Sequence, residues 1–247
     1  MKSRAKLLES NPWIIYVLPL AVFMLVTTLE PAPPTEGKPS ANWVPYSWYP
    51  LVYALKVALT LAAVGYVWPG YRQHPLRLTW LWLPVGLLGG LIWIGLCKLH
   101  LEERILSAVG LSNLMDFGQR SAFNPLEQLA DRPLLAYGFL AIRLFGLVLL
   151  VPLIEEMFLR GFLMRYFVRA DWWRVPIGEV NRAAILVGTL VPMAMHPGEL
   201  LAAAVWFSLI TWLMIRTRNI WDCVAAHALT NLVLGVYVLV SGDWWLM

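Results

Sequence analysis

The chain has 247 residues, 60% of them hydrophobic and only 14% charged, with a formal net charge of +4. A soluble globular domain carries about a quarter charged residues, so this composition excludes that class and leaves an integral membrane protein. The small positive balance gives no ground for a nucleic-acid partner, and two cysteines in apolar stretches, Cys97 and Cys223, give none for a disulfide framework or a thiolate metal site.

Apolar runs broken by proline, glycine and charge predict an all-α, polytopic membrane protein with about eight transmembrane or membrane-embedded helices in one bundle. In chain order they cover roughly 13–29, 47–68, 79–97, 134–151, 153–169, 183–196, 199–215 and 220–240. The N-terminal KSRAKLLESNP has no small-residue cleavage site after it and reads as the lead into a retained first helix. Residues 30–46 are Pro-rich and polar, a surface loop; within 98–133, LHLEERILSAVGL has the periodicity of an interfacial helix. One integral membrane domain, 1–247, is expected, with N-terminal helices and an interfacial loop over 1–133 and a core over 134–240.

Smaller features carry expectations too. Gly86, Gly89 and Gly90 permit close helix packing. Lys56 and Arg143, inside apolar runs, snorkel or pair. Trp172-Trp173 reads as an interfacial anchor, His74 and His100 as solvated edges, and Glu102-Glu103-Arg104 as a solvated face. Asn219 is placed to cap the last helix, with Asp222 in its first turn.

Lys2, Arg4 and Lys6, the 70–78 loop, the 165–182 segment and the 216–218 turn are basic, whereas loop 30–46 holds Lys38 alone. The positive-inside rule therefore places the N-terminus and those three segments in the cytoplasm.

The chemistry is concentrated in LLVPLIEEMFLRGFLMRYF, residues 149–167. Ionised groups at that depth are costly and lean functional. Glu156 and Arg160 are i,i+4 and can pair, while Glu155 points about 100° away. Counting about 1.5 Å per residue from the basic ends puts Glu155 and His196 each about 21 Å deep and His227 about 13 Å deep. His227 and Asn231 are i,i+4 on one face, and Pro197-Gly198 ends the helix after His196. A carboxylate that takes a proton from water, a histidine that holds it and a His/Asn pair that meets an oxyanion would together hydrolyse an amide. On this reading Glu155 faces His196 and His227, and Glu156 is held by Arg160.

Glu155-Glu156-x3-Arg160, a helix-ending His196 and the HxxxN of His227 and Asn231 resemble, in order and spacing, the three motifs of the CPBP family. These are the CAAX-protease and bacteriocin-processing (ABI) intramembrane peptidases, and the likeness spans about 134–235. The run from Arg120 to Phe167 looks like the branch found beside exosortase and PEP-CTERM sorting systems. The resemblance implies an intramembrane glutamate-type endopeptidase in which Glu155 activates water with His196, His227 and Asn231 form the oxyanion hole, and Glu156 and Arg160 support them. The family's second motif is often FxxxH, and this chain has Pro192 at the phenylalanine's position.

The same residues admit a zinc peptidase with Glu155, His196 and His227 as ligands and an open water position, although HExxH is absent. They also admit a non-proteolytic scaffold or immunity factor that keeps the fold. A transporter is disfavoured by the lack of an internal repeat. The expected cofactor is none or a divalent metal such as zinc. The expected partners are membrane lipids and a peptide or protein substrate, of a sorting system if the branch resemblance extends to function. The expected location is the bacterial inner membrane, multi-pass.

Overall fold

An apolar stretch in lipid has no water to satisfy its N–H and C=O groups, so it must form helix. The computed structural model describes residues 2–31, 33, 44–110 and 122–247, and among these there is helix and no strand. Most of the Pro-rich 30–46 loop and part of the 98–133 stretch lie outside the described residues.

The helices are α1 (Lys2–Ser10), α2 (Trp13–Thr27), α3 (Tyr49–Tyr71), α4 (Trp82–Lys98), α5 (Leu101–Ala108), α6 (Pro125–Gln128), α7 (Pro133–Val168), α8 (Arg182–Met195), α9 (Leu200–Thr217) and α10 (Ile220–Ser241). Among the described residues, five stretches are long and apolar enough to cross a membrane: Tyr46–Tyr71, Trp82–Ile105, Pro133–Val168, Leu200–Thr217 and Ile220–Ser241; Trp13–Thr27 and Arg182–Met195 are apolar but shorter. Leucines such as Leu51, Leu91 and Leu134 stand exposed on them, the arrangement lipid stabilises and water does not. The chain is a multi-pass membrane protein.

The expected segments 134–151 and 153–169 are one helix, Pro133–Val168, so the described residues do not reproduce the count of eight. Pro152 lacks an N–H and crowds the preceding turn, which ordinarily breaks a helix. Here it follows a π-helical stretch, Gly146–Leu150, where the hydrogen-bond ladder is already displaced, and the helix runs on through it. A second π-helical stretch, Met157–Leu163, begins directly after Glu156. Wide turns of this kind are rare and concentrate at functional sites.

The chain forms two compact units. The first comprises Met1–Gln73, Arg120–Ile154 and Gly235–Met247. In it α2 lies along α3, so close at Gly70 that a Cβ there would fall 2.4 Å from Ile15. Arg4 on α1 donates to the Gly65 carbonyl at 3.0 Å and covers the Tyr66 ring, which ties the N-terminus to the C-terminal third of α3. Lys56 and Arg143 do not snorkel. Lys56 is buried, ion-paired with Glu30 and seated over Phe23 and Tyr53; Arg143 donates to the Phe123 carbonyl between Tyr49 and Trp244.

The second unit comprises His74–Gln119 and Glu155–Leu234 and contains every candidate site residue. Its basic connections meet. Asn219 donates to the Arg77 carbonyl, Trp221 to the His74 carbonyl, and Asp222 accepts from the backbone and hydroxyl of Thr79 at 2.8 and 3.0 Å. Asn219 also caps α10 through Trp221 N–H. Gly178, at φ +86°, lies against Met214 and Arg218, a position where a side chain would be both strained and crowded.

Three edge residues are more buried than their sequence suggests. Trp172 packs perpendicular to Phe162 at 4.9 Å and beneath Arg165, so it is core rather than an interfacial anchor. Glu102 accepts from Leu201 N–H at 2.8 Å, docking α5 on the start of α9, where unpaired N–H groups attract a carboxylate. His74 is half-buried, and burial together with the nearby Arg165 charge pushes its pKa down to about 4.

In the unfolded chain a histidine titrates near 6.5, so His74 takes up its proton earlier on unfolding. Its contribution to stability is whole above about pH 6.5 and is lost as pH falls toward 4. The melting temperature of the detergent-solubilised protein is expected to decline across that window, and His74→Gln to flatten the decline. An unchanged slope in the variant would assign it to other groups.

Candidate active site

α7 carries Glu156, directly before its second π-helical stretch, and Arg160, within that stretch, into the interior, both fully buried. Arg160 Nη1 donates to Glu156 Oε1 at 3.1 Å, the i,i+4 pair the spacing predicts. Its Nη2 donates to the Phe207 carbonyl of α9 at 3.3 Å, and its guanidinium lies 5.4 Å from the Phe207 ring. A buried carboxylate–guanidinium pair is stable only when its remaining hydrogen-bonding groups find partners, and α9 supplies one.

α10 supplies another. Seven residues into that helix, about 10 Å along its axis, His227 Nδ1 stands 2.9 Å from Glu156 Oε1. An ionised carboxylate only accepts, so Nδ1 carries the hydrogen and Nε2 is the other, unprotonated nitrogen of the neutral ring. The imidazole is buried and meets Trp206 at 5.9 Å and Phe207 at 6.1 Å, nearly perpendicular to the latter. Asn231, one turn further on, is buried on the same face.

The expected pairing changes here. Glu156, rather than Glu155, holds His227. The face of α7 that carries Glu156 and Arg160 is the one turned to Phe207 and His227, and Glu155 is offset from it around the helix. Glu155 is buried, 7% exposed, and has no hydrogen bond or ion pair among the described residues.

His196 ends α8. Its backbone N–H turns to the Met193 carbonyl at 3.0 Å, which frees the Pro192 carbonyl; the ring Nδ1 sits 2.8 Å from that oxygen. A carbonyl only accepts, so Nδ1 is again the protonated nitrogen and Nε2 the free one. The ring packs against Phe207 at 5.6 Å and Trp93 at 5.5 Å. Phe207 thus touches both imidazoles and Arg160, which draws α7, α8 and α10 to one side chain of α9.

Among the described residues no three His, Cys, Asp or Glu side chains converge to hold a metal ion, so Glu155, His196 and His227 do not form the zinc triad that the sequence allowed. His227 is turned to Glu156 and His196 to a backbone carbonyl.

Residues 137–233 match the family model described as type II CAAX prenyl endopeptidase, Rce1-like. That segment is similar to a domain of this family. It coincides with the stretch whose motifs resemble the CPBP peptidases, and it makes the chain a membrane-embedded hydrolase of the protease class. No curated protein and no solved structure matches the chain.

Sequence reasoning missed Trp93, Trp206, Phe207 and the Pro192 carbonyl. Trp93 had a signal, since it continues at helical spacing the face begun by Gly86, Gly89 and Gly90. Phe207 had none, because an aromatic in an apolar helix looks like any core residue.

Proposed function

We propose that the protein is a glutamate-type intramembrane endopeptidase. Glu155 takes a proton from water as the oxygen attacks the scissile carbonyl, and returns it to the amine as the C–N bond breaks. His196 orients the water by accepting from it at Nε2. Asn231 and His227 form the oxyanion hole, with the Asn231 amide donating and the Glu156 carboxylate at Nδ1 holding the His227 ring in place. Glu156 and Arg160 act through His227, and no metal enters the scheme.

The observation that carries this reading is the asymmetry of the two carboxylates. Glu156 is engaged by Arg160 and His227, whereas Glu155, buried beside it, is engaged by no described residue. Cleavage of membrane-protein substrates by wild type and by Glu155→Gln tests it: equal cleavage would remove Glu155 as the base. The substrate that the branch resemblance favours is a membrane-associated protein of a sorting system or a small membrane peptide.

The protein is proposed to span a bacterial inner membrane with its N-terminus cytoplasmic. The basic 74–81, 216–222 and 165–178 connections pack together within the second unit, which supports a basic side for that unit. Cytoplasm-active reporters fused in the 216–219 turn are expected to fluoresce, and the same fusions in the 30–46 loop to stay dark; the reverse pattern would invert the topology.

A further inference from the structure

We propose that Trp93 is a positioning residue for His196, so that the active site is completed by a helix outside the segment matched to the family. Its importance for catalysis rests on the endopeptidase reading; its effect on the imidazole does not.

The buried face of α4 is Val85, Gly86, Gly89, Gly90, Trp93 and Cys97. Its glycines set the approach. A Cβ on Gly86 would lie 2.8 Å from the Ala226 carbonyl and from Leu229; one on Gly89, 2.1 Å from the Trp206 ring; one on Gly90, 2.8 Å from Val233. Thr230 Oγ1 donates to the Gly86 carbonyl at 2.8 Å across the same contact. α4 therefore has almost no freedom to shift against the His227 helix. Trp93 follows one turn beyond Gly89 and Gly90, and the locked helix delivers its ring, 5% exposed, to His196 at 5.5 Å and 78°.

His196 needs such a neighbour. The Pro192 carbonyl restrains one ring atom, Nδ1, and Phe207 restrains the ring from α9. With proline at position 192, the helix that carries His196 has no aromatic one turn before it. Trp93 supplies a second aromatic contact from α4. Ring contacts of this kind are directional, and together the three restraints aim Nε2. Without Trp93 the imidazole gains room to turn about its χ2, exchange its nitrogens and lose the tautomer.

The chain has four histidines, His74, His100, His196 and His227, so ring-nitrogen NMR of histidine-labelled protein in lipid nanodiscs can follow each one. In wild type, His196 is expected to show the Nδ1–H tautomer. Trp93→Phe, which keeps a ring, is expected to preserve it. Trp93→Ala is expected to move the His196 signals toward the tautomer-averaged position and leave those of His227 in place. Should the alanine variant fail to fold, Trp93→Leu carries the same expectation. An unchanged His196 in the alanine or leucine variant, or a phenylalanine variant as disturbed as alanine, overturns the proposal.

The kinetic readout is separate. On any substrate whose cleavage depends on Glu155, Trp93→Ala is expected to lower kcat by up to about 10²-fold, the cost of a misplaced group. KM should stay within about twofold, because ground-state binding is not what is lost, and phenylalanine should restore most of the rate. If no cleavage depends on Glu155, the endopeptidase reading fails while the NMR result still decides the role of Trp93.

Discussion

A Glu155→Gln variant is expected to fold normally and to lose cleavage by about 10²–10⁴-fold, the range general-base catalysis supplies. The substitution removes the charge and the basic lone pairs while keeping the side chain's shape. No ion pair is broken, because Glu155 has none among the described residues. A neutral amide is also cheaper to bury than a carboxylate, so the melting temperature should hold or rise slightly. kcat measured beside a thermal melt separates the outcomes. Loss of activity with an intact melt supports the base role; loss of both would make Glu155 structural.

Glu156→Gln should show the opposite balance, with stability falling by about 3–5 kcal/mol, the usual cost of leaving one partner of a buried pair alone. Arg160 would keep its charge at 0% exposure, and among the described residues it would have a neutral amide, the Phe207 carbonyl and the Phe207 ring beside it but no counter-charge. The double variant Glu156→Gln/Arg160→Met should recover most of that loss, because it removes the stranded charge as well. Activity should not recover in the double variant. His227 would still lack the carboxylate that fixes its tautomer at 2.9 Å. A denaturation cycle over the four proteins measures the coupling. Additive losses would show that the pair carries no buried charge coupling.

These two neighbours are adjacent in sequence and opposite in expected behaviour, and that difference marks how far the sequence could be read. The EExxxR spacing made the Glu156–Arg160 pair legible, because i,i+4 residues share a helix face whatever surrounds them. The HxxxN spacing put His227 and Asn231 together for the same reason. Apolar length made the spans legible, because lipid leaves the backbone no alternative to helix. Which carboxylate meets His227 was not legible, since it depends on how α7 is rotated about its own axis against α9 and α10. Nor was the continuity of α7 through Pro152, which depends on a displaced hydrogen-bond ladder just before it.

By itself, then, the sequence determined the helical membrane class, the helices' approximate bounds and the residues that carry the chemistry. Those follow from composition and from short-range periodicity, which are local properties. Tertiary structure alone decided that Glu156 and not Glu155 holds His227, that Phe207 joins both imidazoles to Arg160, and that α4 brings Trp93 to His196. Each is a contact between residues far apart in the chain. Such contacts are set by side-chain volumes across a packed interface, as at Gly89, where not even a Cβ would fit beside Trp206.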